Sequence, residues 1–253
     1  MKFKTKLLIA AGAMVLAGAA SAQAHNWNGY YAGFNLGAQK GKADVATAFD
    51  YVDGYDGGLF SQPAVGEIAA AGAGSSSRTR FHTGVTFGYN AVSGSQLMGY
   101  ELDLSFLELR LKRTVSAPFD CCNMMELDQR VRAHHLVTAR GRWGMLSGNS
   151  LFYVTGGLAA SRLSGYAAFA DAYGLTTDTG TKKIKLGWTL GAGYEQPMSN
   201  GWTFKTEYLH VNFNSVGSSS RNLSIDDVLF SNTMSNKADV KLDILRVGFN
   251  KKF

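Results

Sequence analysis

The strongest pattern in the chain is alternation with a period of two. Over 78–91, Arg78, Arg80, His82, Gly84, Thr86, Gly88 and Asn90 share one parity, and Thr79, Phe81, Thr83, Val85, Phe87, Tyr89 and Ala91 share the other. Over 183–195, Ile184, Leu186, Trp188, Leu190, Ala192 and Tyr194 alternate with Lys183, Lys185, Gly187, Thr189, Gly191, Gly193 and Glu195. Successive side chains of a strand point to opposite faces, so each parity is one face: apolar on one side, polar or glycine on the other. Six further segments repeat the pattern less regularly, near 29–39, 98–106, 130–144, 151–162, 202–213 and 245–253. Residues 151–162 are small or apolar on both sides, and their facing is weakly specified.

These segments predict eight strands, each long enough to cross a bilayer when tilted, which takes about 9–11 residues. The connections between them alternate in length. Short ones fall near 92–96, 146–149 and 197–201, and long ones near 41–77, 107–128, 165–182 and 214–236. Short turns on one side and long loops on the other are the pattern of an up-and-down transmembrane β-barrel, with periplasmic turns and extracellular loops. A soluble sandwich has no reason to sort its loops this way. The long connections carry Gly, Ser, Ala, Asn and Asp, and the first ends Gly72-Ala73-Gly74-Ser75-Ser76-Ser77, so they read as solvated and mobile. In 107–113, Leu107, Leu109 and Leu111 alternate with Glu108, Arg110 and Lys112, continuing the third strand. The apolar parity slips between Phe106 and Leu107, which predicts a β-bulge there.

The amino terminus adds an export signal. Lys2, Lys4 and Lys6 precede an apolar run over 7–20, and Ala22-Gln23-Ala24 makes a small-residue cleavage site. The run is shorter than the ~20 residues of a spanning helix. Residues 1–24 are therefore expected to be a cleaved signal peptide, with 25–253 as the barrel domain and His25 as the first mature residue. Removing three lysines and no acids takes the formal charge from +6 to +3. No long basic run remains, and no nucleic-acid partner is expected. No later segment approaches the ~18 continuous apolar residues of a second membrane helix. In lipid every backbone group must be bonded internally, and a closed barrel is the non-helical way to do so.

The chemistry-bearing residues follow from the strand faces. On the inward parity, Glu101, Asp103, Glu195 and Glu207 can face Arg140, Arg142, Lys205 and Arg246. An eight-stranded barrel is just wide enough for side chains to fill, and buried charges must be paired. The expectation is a structural network that plugs the lumen; the alternative is a narrow pore lined by the same charges, a small porin for ions or solutes. Tyr89, Tyr100, Trp143, Phe152, Tyr194, Trp202 and Phe253 sit at the short-turn ends and predict an aromatic girdle at the periplasmic interface. Cys121 and Cys122 are adjacent and cannot staple distant segments; they read as free loop thiols, the alternative being a vicinal or intermolecular disulfide. His134 and His135 are also adjacent and should point to opposite faces, so no metal site is expected. No cofactor and no catalytic residue is expected either.

The motifs carry a family likeness. Thr138-Ala139-Arg140-Gly141-Arg142-Trp143-Gly144 with Tyr153-Val154-Thr155-Gly156-Gly157-Leu158-Ala159 resembles the central hairpin of the opacity-protein/OmpA-like outer-membrane β-barrel family. Residues 187–195 and 202–208 resemble its sixth and seventh strands. Trp27-Asn28-Gly29-Tyr30-Tyr31-Ala32-Gly33 resembles its opening strand, and 246–253 its terminal strand. The likeness spans the mature chain outside the long loops. It implies an eight-stranded barrel in a Gram-negative outer membrane, inserted by the barrel-assembly machinery, which reads the terminal aromatic Phe253. Lys251 departs from the family's usual aromatic; a lysine at an interface can snorkel, so weaker anchoring is expected there. The resemblance implies an abundant surface protein that supports envelope integrity and surface contact, some members being called porins; a monomer in contact with outer-membrane lipid and lipopolysaccharide is expected. Its loops can meet a host surface or a small ligand such as haem. One enzyme on this fold, a lipid A deacylase, has a Ser two residues after its His. Here His210-Val211-Asn212 places Asn at that position, with Ser215 further on, which removes the nucleophile.

Overall fold

A computed structural model describes residues 25–253 apart from 57, 120–122, 221–222 and 226–227. The expected signal peptide and Cys121 and Cys122 lie outside the described residues. Eight long strands form the wall: β1 (Gly29–Phe49), β2 (Gly74–Ser93), β3 (Gln96–Phe119), β4 (Asn123–Ser147), β5 (Ser150–Asp171), β6 (Thr176–Pro197), β7 (Trp202–Ser220) and β10 (Met234–Lys252). Each pairs antiparallel with its neighbours, and β10 returns to β1 from Tyr31↔Lys252 to Phe49↔Met234, closing the ring. A small hairpin, β8 (Ser224–Ile225) and β9 (Val228–Leu229), sits in the last long connection, and α1 (Gln62–Gly72) in the first. The turns at 94–95 and 148–149 put positive φ on Gly94 and Gly148, a conformation that costs an L-residue with a side chain.

The outward apolar positions form one belt. They cover 30–38 on β1, 81–89 on β2, 98–106 on β3, 137–145 on β4 and 152–160 on β5, nine residues each, and 184–194 on β6. Tilted strands of that length match the ~25 Å apolar band of an outer-membrane barrel. The aromatic residues expected at the short-turn end face outward there. Tyr89 lies between Tyr30 and Tyr100, with ring centroids 4.8 and 5.9 Å away, and Phe152 lies 5.0 Å from Tyr194. Lys251 Nζ donates to the Asn200 carbonyl and lies 5.7 Å from the Trp202 ring, so its charge reaches the rim while its stem stays on the wall.

Above the belt the molecule changes character, and several expectations need correction. The strands run far into the stretches read as long loops: 41–49, 74–77, 107–119, 123–128, 165–171, 176–182, 214–220 and 234–236 are strand. Pairing of β2 with β3 ends at His82↔Leu107, and pairing of β6 with β7 ends at Gly187↔Phe213. The ring therefore opens into two facing four-stranded sheets, β3-β4-β5-β6 and β7-β10-β1-β2. Their inner faces bury Val45, Leu109, Leu111, Val131, Leu163, Phe213, Val216 and Val240 in one core. Higher still, Phe49, Phe119, Leu127, Phe169 and Met234 pack with Phe60, Ala64 and Ile68 from α1 and the turn before it. Helix α1 is capped by Ser61, whose Oγ accepts from the Ala64 amide at 3.3 Å. It is tied down by Arg113, which donates to the carbonyls of Ala71 and Ala73 at 2.9 and 3.0 Å. These stretches are an ordered, apolar-cored extension rather than mobile loops.

The parity slip has the same origin. Pairing does shift between Phe106 and Leu109, yet the odd residues of β3 keep facing inward on both sides of the shift. The wall has not turned over; its surroundings have. Below, water-compatible groups fill the inside and lipid lies outside. Above, water lies outside and the interior is apolar. A second irregularity, in β4 between Ala133 and Val137, leaves both His134 and His135 exposed rather than on opposite faces. The extra residue lets two neighbours share one side. The weakly specified 151–162 segment faces its odd residues inward, with Leu151, Tyr153, Thr155, Ala159 and Ser161 buried.

Candidate functional site: the charged interior

Strands β3, β4, β6, β7 and β10 project eight ionisable side chains into the barrel at one level, four acids and four bases. Glu101 and Asp103 come from β3, Arg140 and Arg142 from β4, Glu195 from β6, Lys205 and Glu207 from β7, and Arg246 from β10. Each comes from the inward parity of its strand, and the side chains are at most 2% exposed. All eight join one network. Arg140 binds Glu101 and Asp103 and lies 3.2 Å from Glu207. Arg142 spans Glu195 at 2.8 Å and Glu101 at 3.3 Å. Lys205 Nζ lies 2.7 Å from Glu101 and 3.2 Å from Glu207. Arg246 reaches Asp103 at 2.9 Å, and its Nε donates to Glu207 at 2.7 Å. Equal numbers of opposite charges leave this eight-residue network without net charge, which is the condition under which ions are tolerated away from water.

Neutral groups complete the cluster. The Tyr31 hydroxyl donates to Glu101 at 2.9 Å and accepts from Arg142 at 2.6 Å. The Tyr153 hydroxyl donates to Glu207 at 2.7 Å, and its ring lies 4.1 Å under the Arg142 guanidinium. Thr86 and Thr138 donate to Asp103 at 2.7 and 3.1 Å. The two tyrosines were not singled out from sequence, because they look like ordinary barrel aromatics. The available signal was glycine on the inward parity of a neighbouring strand. A Cβ on Gly88 would stand 2.4 Å from the Tyr31 ring, and one on Gly193 2.3 Å from the Tyr153 hydroxyl. Below the network, Trp27, Leu97, Leu151 and Tyr153 form an apolar floor. Above it begins the core between the two sheets.

A second polar group lies on the outer face. His210 Nδ1 is 2.8 Å from Asp243 Oδ1, and the Tyr208 hydroxyl donates to the same oxygen at 2.7 Å. The Trp188 ring stands 5.5 Å from the imidazole. Sequence reasoning considered His210 and missed Asp243, since the partner sits on β10, 33 residues away. The cross-strand neighbours of His210 are Leu190 and Asp243, and the outward residues flanking it on β7 are Tyr208 and Asn212. None of these supplies a serine hydroxyl. Among the described residues no group of three or more His, Cys, Asp or Glu side chains is arranged to hold a metal.

The model of the outer membrane protein beta-barrel domain family matches residues 9–253. The 31 kDa outer-membrane immunogenic proteins of Brucella melitensis biotype 1 and Brucella suis biovar 1 are each 30% identical over 243 residues, covering 93% of this chain and 87% of theirs. Among solved structures, OprG of Pseudomonas aeruginosa aligns with a TM-score of 0.48 at 13% identity, over 92% of this chain and all of that one. Neisserial surface protein A aligns at 0.37 and 11%, over 87% and 97%. With a closed ring of eight strands, an apolar outer belt and a family match over nearly its whole length, the chain belongs to the outer membrane protein β-barrel domain family and resides in the Gram-negative outer membrane.

Proposed function

We propose that the protein is a non-conducting, non-enzymatic anchor that strengthens the outer membrane and holds an ordered extension above it for surface contacts. The observation that carries this reading is the charge-balanced network of Glu101, Asp103, Arg140, Arg142, Glu195, Lys205, Glu207 and Arg246, enclosed between the Trp27–Leu97–Leu151 floor and the apolar core. A conducting lumen needs a continuous wet path, and these side chains are packed against one another instead. The tall extension supports a display role, because its strands and α1 lift the connecting segments well clear of the lipid. That the curated relatives are immunogenic outer-membrane proteins accords with a displayed surface. The barrel acts as a monomer, with the outer-membrane lipid and the assembly machinery, which meets Phe253, as its expected partners.

Planar-bilayer recording on the purified protein tests the reading. No stable conductance of general-porin size is expected. Stable, large single-channel currents would establish the porin alternative. Deleting the gene should sensitise cells to detergent, and restoring a chain trimmed at its extracellular connections should rescue them if the barrel carries the integrity role.

A further inference from the structure

We propose that the outer face of the β3–β6 sheet, just above the lipid belt, binds the phosphate groups of the phosphorylated glycolipid in the outer leaflet. Four residues lie in direct cross-strand register on this face: Arg110↔Arg132, Arg132↔Ser164 and Ser164↔Lys182. One outward step higher, Lys112 faces Arg130. Arg162, opposite Ile184, completes the group. Six cations share the patch with two carboxylates. Glu108 takes Arg110 at 2.8 Å, and Asp128 is divided between Arg130 and Lys112. Arg132, Arg162 and Lys182 are exposed and have no acidic partner among the described residues.

Like charges directly opposite one another destabilise a sheet. Here the chain places Arg against Arg and Lys against Arg on adjacent outward rows, where Glu108 and Asp128 offset part of the repulsion and leave Arg132 without an acidic partner among the described residues. A bound polyanion removes the remaining repulsion. Position selects which one. Immediately below the patch lie Phe106, Val137, Leu158 and Ile184 of the lipid belt, each strongly exposed. A molecule in contact with both must present acyl chains below and anionic groups just above them, in the order of an outer-leaflet glycolipid. Arginine is suited to this task because its planar fork binds phosphate bidentately. Apart from Glu108 and Asp128, the outward acids of this sheet, Glu126 and Asp178, lie higher up, beyond the headgroup level. On the opposite sheet the same level is mixed, with Lys40, Lys42 and Lys241 beside Asp44 and Asp243. The proposal builds on the anchor reading by naming the lipid that one wall would hold.

The test uses the full mature chain in detergent, titrated with bisphosphorylated lipid A and, separately, with the same lipid after removal of both phosphates. Native mass spectrometry reads the bound lipid. The wild type should prefer the phosphorylated form, and Arg132→Gln/Arg162→Gln/Lys182→Gln should lose that preference by about a hundredfold. Lys40→Gln/Lys241→Gln on the opposite wall, and the conservative Arg132→Lys/Arg162→Lys, should retain it. A wild type that does not distinguish the two lipids overturns the proposal, whatever the variants do. So does a triple variant that keeps the preference while running as a folded barrel on unheated gels. If the triple variant loses binding to heparin but not to phosphorylated lipid A, the patch serves a soluble polyanion and the lipid assignment fails. Conductance should be the same in every variant, so a failure here leaves the anchor reading to its own test.

Discussion

Phe106 and Leu107 are adjacent in β3 and face opposite media: Phe106 is 49% exposed on the lipid side, and Leu107 is 4% exposed in the interior. Below this pair the outward residues Met98, Tyr100, Leu102 and Leu104 are apolar; above it Glu108, Arg110 and Lys112 take their places. The pair marks where the barrel leaves the membrane.

Opposite responses on the two sides of that boundary are expected. Leu102→Arg puts a charge at mid-belt and should cost about 2–4 kcal/mol of stability in lipid. Leu109→Ala, in the core above, should cost about 2–5 kcal/mol through the cavity it leaves. Lys112→Leu, on the watery outer face, should change little. Urea unfolding in lipid vesicles ranks the three; a Lys112→Leu penalty equal to that of Leu102→Arg would show the boundary to be misplaced.

The interior network should be intolerant of single deletions. Arg142 is the cation nearest Glu195, at 2.8 Å. Arg142→Met leaves that carboxylate buried without it and should destabilise the barrel by about 3–5 kcal/mol. Arg142→Met with Glu195→Met removes both charges and should cost less than Arg142→Met alone. Equal losses in the single and double variants would mean the pair is not coupled.

Helix α1 should be separable from the barrel. Ile68 is fully buried against the upper core. Ile68→Asp should undock the helix and speed proteolysis between 50 and 73, with the barrel's unheated gel mobility unchanged. Ser61→Ala, which removes the cap, should weaken docking by about 1 kcal/mol. Protection of 50–73 in Ile68→Asp equal to that of the wild type would refute the docking.

Phe253 closes the chain at the periplasmic rim, its amide bonded to the Tyr30 carbonyl at 3.2 Å and its ring outward. Deleting it should lower the fraction of chain assembled in the outer membrane more than it lowers the stability of barrels already folded. Pulse-labelling followed by unheated electrophoresis distinguishes the two effects.

Alternation alone was enough to determine the strands that cross the lipid, their number and, outside the ambiguous 151–162 and the irregular 134–135, their facing, because a wall one residue thick shows a period of two when its two sides meet different media. The inward charges, from Glu101 to Arg246, were legible for the same reason. What lies above the membrane was not. Val45, Leu109, Val131 and Val240 alternate as regularly as the belt does, but with the apolar side turned inward, and a local pattern carries no label for which side is wet. Only the paired strands, the opening of the ring above His82 and Gly187, and the packing of α1 against Phe49 and Phe169 decide that. Contacts between distant segments, such as Tyr31 with Glu101 or His210 with Asp243, likewise exist only once the closed ring brings their strands to one level.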